Sequence, residues 1–129
     1  MPLIAHTLHQ AAKSRYIDRV IVSTDDDQVA AIAKEHGAEA PFRRPAELAG
    51  PIPHLKPVVA NAVEFLEKSD GENIDIVISL QATSPFRSAE QIDAAIDKLV
   101  GEGLDSVISL REDKELTWRV VDGVLTPLF

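Results

Sequence analysis

Cysteine is absent from this 129-residue sequence, which excludes disulfides and thiolate–zinc sites. Long apolar runs are absent too: the longest fall far short of a membrane span, and the N-terminus lacks a signal-peptide layout. A cytoplasmic location and no membrane partner are the expectation. Positive charge is scarce, with 13 Lys and Arg against 21 Asp and Glu and a net charge of −8. Nucleic acid, which needs clustered Lys and Arg, is therefore not an expected partner. A nucleotide remains compatible, because one small anion needs only a local basic pocket. Hydrophobic residues make up 45% and charged residues 26%, the balance of an ordinary globular protein, and the length predicts one domain over 1–129.

What is present alternates between two hydrophobic periods. Leu3, Ile4, Thr7, Leu8, Ala11 and Ala12 share one face at helical spacing. Residues 19–24 (RVIVST) read as a short buried strand, and 25–36 as a helix with Val29, Ile32 and Ala33 inward, stopped by Gly37. Residues 38–42 suggest a short strand, 43–57 a loop with four prolines, and 58–68 a helix with Val59, Ala62, Val63 and Leu66 inward. Residues 75–80 (DIVISL) form the next predicted strand. Ser88 and Gln91 then make a capping-box pattern ahead of a helix with Ile92, Ala95, Ile96, Leu99 and Val100 on its stripe, ended by Gly101 and Gly103. Residues 105–110 (DSVISL) echo the earlier strand. Asp122-Gly123, between 118–121 and 124–125, is a hairpin turn signal. Continuous apolar strands separated by helices predict an α/β fold with a mainly parallel sheet covered on both faces.

The polar loop Leu80-Gln81-Ala82-Thr83-Ser84-Pro85-Phe86-Arg87 lies just past a predicted strand's carboxyl end, where open α/β sheets bind ligands. Gln81, Thr83, Ser84 and Arg87 are hydrogen-bonding groups suited to a polyhydroxylated anion. The turn alone accounts for Pro85 and Ser88 but not for Gln81 and Arg87 together. Asp25, Asp26 and Asp27 follow a strand directly. They could serve a metal–phosphate site, although helix capping and dipole complementation are the simpler account. A receiver-type phosphoacceptor would need a further acidic residue at another strand end, and none is found. Arg43-Arg44-Pro45 is the only adjacent basic pair and is a place to hold phosphate or a base carbonyl, or else a plain surface pair. His54, in the proline-rich loop, could donate to a ligand. His6 and His9 sit at i,i+3 with no third metal ligand in view, and His36 complements a helix C-terminus.

Four segments together resemble the acylneuraminate cytidylyltransferase family. Met1-Pro2-Leu3-Ile4-Ala5-His6-Thr7 is similar to its KPLIAYT helix start, and Val22-Ser23-Thr24-Asp25-Asp26 to its VSTDD turn. Arg44-Pro45-Ala46-Glu47-Leu48-Ala49 is similar to RPAELA, and Leu80–Arg87 to LQPTSPLR with Ala82 for proline and Phe86 for leucine. The resemblance implies a Rossmann-like three-layer sandwich of the nucleotide-diphospho-sugar transferase type. It also implies transfer of CMP from CTP to the anomeric hydroxyl of a 2-keto sugar acid, assisted by Mg²⁺, with pyrophosphate leaving. By position, Arg44 and more weakly His54 would address the nucleotide. Gln81, Thr83, Ser84 and Arg87 would line the sugar-acid pocket.

The resemblance begins at the helix after the family's first strand and its phosphate-holding Gly-, Arg- and Lys-bearing loop. It ends before the dimerisation hairpin and a metal-binding Asp-x-Asp. The expectations are therefore a sheet lacking its usual first strand, with unpaired edges at 19–24 and 75–80 closed by re-pairing or by a second chain. No appreciable activity is expected of this chain alone, no catalytic or metal-ligating residue is assigned, and a homo-oligomer is expected. A non-catalytic sugar-acid or nucleotide-binding module and an oligomerising interaction protein are the alternatives.

Overall fold

A computed structural model describes residues 1–50, 55–71, 73–110 and 118–127. Its elements run in the order α1 (Leu3–Ala11), α2 (Asp27–Glu35), a single 3-10 turn (Ala46–Leu48), α3 (Leu55–Asp70), α4 (Ala89–Gly101), β1 (Trp118–Val121) and β2 (Val124–Pro127). The helix boundaries have local causes. Asp26 Oδ1 accepts from the amides of Gln28 and Val29 at 2.7 and 3.1 Å, which sets the start of α2. Ser88 and Gln91 close the expected capping box on α4. α3 starts three residues earlier than its apolar stripe indicates, at Leu55. Pro57 fits there because amides in a helix's first turn need no intrahelical acceptor. Gly37, with φ +79°, lets the chain leave α2 in a left-handed conformation.

The core sits between α1 and α2. Leu8, Val22, Ala33 and Ala38 form a buried cluster, flanked by Ile4, Val20 and Val29. Ala5 and Ala11 of α1 and Ala33 of α2 are almost fully buried. α4 packs against α1 and buries Ala89, Ile92 and Ile96, and the Ala89 amide donates a hydrogen bond to Gln10 Oε1. Phe65 of α3 packs against Phe42, ring centroids 4.8 Å apart.

The sheet differs from the sequence expectation. Parallel pairing is confined, among the described residues, to two single bridges that join 19–24 to 38–43, Ile21 with Glu39 and Thr24 with Arg43. The one continuous ladder described is antiparallel, β1 with β2, with Val121 opposite Val124 around Asp122 (φ 52°) and Gly123 (φ 79°). Both turn residues have positive φ, as the Asp-Gly signal requires. The expected strands at 75–80 and 105–110 carry the right apolar pattern but no ladder, and the mainly parallel three-layer sandwich is not built from the described residues. The physical reason is a lack of neighbours: no backbone hydrogen bond among the described residues reaches 74–80. Their side chains are correspondingly open, with Ile76, Val77 and Ile78 at 41, 49 and 36% exposure and Leu110 at 90%. No helix among the described residues is long and apolar enough to cross a membrane.

Candidate functional site

Residues 19–24 end at Thr24, whose carbonyl accepts from the Arg44 amide at 2.9 Å. That bond fixes the Arg44 backbone beside the strand end. Its side chain is held as well: Nε donates to Ser23 Oγ at 3.2 Å and Nη2 donates to the Ser23 carbonyl. A guanidinium presents five N–H donors in a planar fork, so these two bonds aim the group without exhausting it. Arg43 turns away to Asp27, Nη1 to Oδ1 at 2.9 Å, in an exposed pair. The basic dipeptide thus divides into a positioned Arg44 and a solvated Arg43.

The 80–87 loop is closed on itself. Arg87 Nη2 donates to the Gln81 carbonyl at 3.2 Å, and the Ser84 amide donates to the same carbonyl at 3.1 Å. Gln81, Thr83 and Ser84 are exposed and Arg87 is half-buried. Arg87 Nη1 is buried with no hydrogen-bond partner among the described residues. Phe86 is 97% exposed.

Arg44 and Gln81 line one cavity of about 1000 Å³, whose walls also include Thr24, Ser79 and Leu80. The structure therefore brings one nucleotide candidate and one sugar-acid candidate to the same space. Thr83, Ser84 and Arg87 are not in its wall, and they join the site only through the loop that Arg87 ties to Gln81. His54 lies outside the described residues.

The acidic run resolves into separate structural jobs: Asp26 caps α2 and Asp27 pairs with Arg43. Among the described residues, no three His, Asp or Glu side chains converge to hold a metal ion. The donor set in view does not fit the Mg²⁺ that the family resemblance implies. His9 pairs not with His6 but with His36, Nε2 to Nδ1 at 3.1 Å, the rings edge to face at 5.0 Å.

Sequence reasoning missed two charged clusters that hold the frame. Asp93 of α4, 6% exposed, accepts from Ser14 Oγ at 2.6 Å, the Arg15 amide at 3.1 Å and Arg15 Nε at 3.0 Å. The Ser14 hydroxyl above all, then Arg15, holds its carboxyl below the usual aspartate range against the opposing effect of burial. Arg19 spans Glu39 at 2.7 Å and Asp70 at 2.6 Å, joining 19–24 to residue 39 and the end of α3. Both carboxyls are lowered, each chiefly by its hydrogen bond from Arg19. An aspartate beside an apolar stripe carries no signal in periodicity, and the Arg19 triad joins residues far apart in sequence.

Comparison with known proteins bears on this site. Residues 1–117 match the family described as cytidylyltransferase. A CMP-N,N'-diacetyllegionaminic acid synthase of Legionella pneumophila is 37% identical over 116 residues, covering 85% of this chain and 49% of that protein. A pseudaminic acid cytidylyltransferase of Campylobacter jejuni is 33% identical over 99 residues, covering 77% and 42%. A 3-deoxy-manno-octulosonate cytidylyltransferase of Chlorobium phaeobacteroides is 36% identical over 101 residues, covering 78% and 36%. The chain spans less than half the length of these relatives.

Proposed function

Since this chain belongs to the cytidylyltransferase family, we propose that it binds a cytidine nucleotide and a 2-keto sugar acid, as part of a machinery that joins them as a CMP-sugar. Arg44 addresses the nucleotide. Gln81, Thr83, Ser84 and Arg87 address the sugar acid, whose hydroxyls and carboxylate match their donors and acceptors. The observation that carries this reading is the common cavity of Arg44 and Gln81. The relatives' names, which pair cytidylyl transfer or CMP with legionaminic, pseudaminic and octulosonic acids, support the substrate class.

In this reading the chain's own residues orient the reactants. Arg44, pinned to Ser23, presents fixed positive charge to phosphate without reorganising on binding, and the Arg87-closed loop holds the sugar acid beside it. The chain alone supplies no metal-ligand cluster among its described residues, and we propose that by itself it binds without turnover. NMR titration with CMP and with N-acetylneuraminic acid tests the binding. Shifts are expected at Arg44 and at 81–87, lost in Arg44→Ala for CMP and in Arg87→Ala for the acid. No perturbation by either compound near millimolar concentration would refute the assignment. CMP-sugar and pyrophosphate formed from CTP, Mg²⁺ and the acid would refute the absence of turnover.

A further inference from the structure

His9 and His36 meet where two helices end. His9 lies in the last turn of α1, and His36 is the residue that closes α2. Leu8, next to His9, and Ala33, one turn before His36, both belong to the buried core cluster. The packing that joins α1 to α2 therefore also sets the distance between the two rings. His9 is exposed and His36 half-buried, so water reaches the pair. Neither residue is in the wall of the cavity that Arg44 and Gln81 line.

His9 Nε2 and His36 Nδ1 are 3.1 Å apart. Two neutral imidazoles in this relation hold one proton between them, with one ring donating and the other presenting a lone pair. A zinc–imidazole bond is about 2.0–2.1 Å long, so two nitrogens 3.1 Å apart subtend about 100° at a single ion. That angle lies between the square-planar and tetrahedral values, and the two rings, edge to face, reach it by turning about Cβ–Cγ, a broad torsion. The field at this place favours a cation. The last carbonyls of α1 and of α2 bring the negative ends of both helix dipoles toward the pair, and the net charge of −8 acts in the same sense. Lys13 and Lys34, the cations nearest in sequence to these helix ends, are exposed, with long stems that carry their charge into water.

We propose that His9 and His36 form a two-imidazole site for a divalent transition-metal ion of the Zn²⁺, Ni²⁺ and Cu²⁺ class, which clips α1 to α2. Imidazole selects these ions over Mg²⁺, which takes oxygen ligands. On binding, the ring that donated passes its proton through water to its own other nitrogen, and both facing lone pairs go to the metal. No third His, Asp or Glu joins the pair among the described residues, and His6, one turn earlier on α1, stays outside it. Water fills the remaining positions, and the ion exchanges with the solution. Because the two rings converge only when α1 and α2 are packed, the ion binds the folded chain in preference to the unfolded one and stabilises it by mass action.

The test is titration of the full chain with Zn²⁺ alone at about pH 7.5, where imidazole is mostly neutral, read by the imidazole resonances and by the thermal unfolding midpoint. The expected result is a saturable, parallel shift of the His9 and His36 rings at one ion per chain, with His6 unmoved and the midpoint raised. Mg²⁺ at the same concentration should do neither. His9→Gln and His36→Asn should each bind Zn²⁺ at least about tenfold more weakly, since loss of a ligand costs no less than loss of an outer-shell partner. Both variants should lose the rise in midpoint while keeping the helical circular dichroism of the parent. The parent's own resonances decide the matter if a variant fails to fold. Unchanged Zn²⁺ affinity in either folded variant would overturn the proposal. So would a shift of His9 with His6 while His36 stays still, which would move the site to the i,i+3 pair. Displacement of Zn²⁺ by Mg²⁺ would overturn it by making carboxylates the ligands, and one ion per two chains would overturn it by making the site intermolecular. The inference does not rest on nucleotide or sugar-acid binding.

Discussion

The Ser14 hydroxyl donates to Asp93 Oδ1 at 2.6 Å across a gap of 79 residues, and that bond anchors the chain after α1 to α4. Arg15 completes the contact from its amide and its Nε. The Asp93 carboxyl is held low, so its contribution to stability is complete above the pKa of an unfolded aspartate, about 3.9. That contribution is lost as pH falls through the lower folded value. Stability measured by urea unfolding should therefore decline on acidification below about pH 4, and Asp93→Asn should flatten part of the decline. Glu39, Glu64, Asp70 and Glu90, whose carboxyls are also lowered, contribute to the rest of the decline. An unchanged acid slope in Asp93→Asn would show that the carboxylate is not ionised in this contact. Ser14→Ala, which removes one neutral donor, should cost about 1 kcal/mol.

Asp26 offers a cleaner separation of structure from chemistry. If its carboxylate serves α2 as a cap, Asp26→Ala should lose about 1 kcal/mol of stability, and Asp26→Ser or Asp26→Asn should retain most of it. Asp25→Ala should stay within about 0.5 kcal/mol, as surface changes do. Mg²⁺ should leave all of these values unchanged. A Mg²⁺-dependent rise in melting temperature that Asp26→Ala abolishes would instead make the acidic turn a metal site.

Those residues also mark what was legible beforehand. Capping signals act locally, and so a cap in the acidic run after 19–24, the Ser88–Gln91 box and the Asp122-Gly123 turn were all readable, although only the structure chooses Asp26 over Asp25 as the cap. The apolar character of 75–80 was readable as well, but a ladder is a property of two segments, and no backbone hydrogen bond among the described residues joins 75–80 to another segment. Conversely, Asp93, the Arg19 triad and the His9–His36 pair depend on segments far apart in sequence meeting, which periodicity does not encode. At the candidate site the residue types were legible in the motif. The division of labour in which Arg43 faces Asp27 and Arg44 faces Ser23 was not.

The uneven distribution of burial predicts uneven sensitivity to mutation. Leu8 is 4% exposed in the cluster with Val22, Ala33 and Ala38, and Leu8→Ala should cost about 2–5 kcal/mol. Ile108 is 76% exposed, and Ile108→Lys should change stability by no more than about 0.5 kcal/mol. Chemical denaturation of both variants measures the contrast. A comparable loss in each would mean that 105–110 is buried in solution.

Arg44 is the residue at which positioning and binding can be told apart. Its Nε and Nη2 both engage Ser23, a two-point grip that a lysine, with one flexible ammonium, does not reproduce. Arg44→Lys keeps the charge but loses the aim. CMP affinity should fall about tenfold, roughly 1.4 kcal/mol, while sugar-acid binding at 81–87 stays unchanged. Ser23→Ala leaves Arg44 intact and removes only the Oγ acceptor, so it should weaken CMP binding by a smaller factor in the same direction. Calorimetric titration of the two variants checks the order. If Arg44→Lys binds CMP as tightly as the parent, charge alone suffices and the grip on Ser23 is purely structural. If Ser23→Ala weakens binding as much as Arg44→Lys, the serine itself contacts the nucleotide.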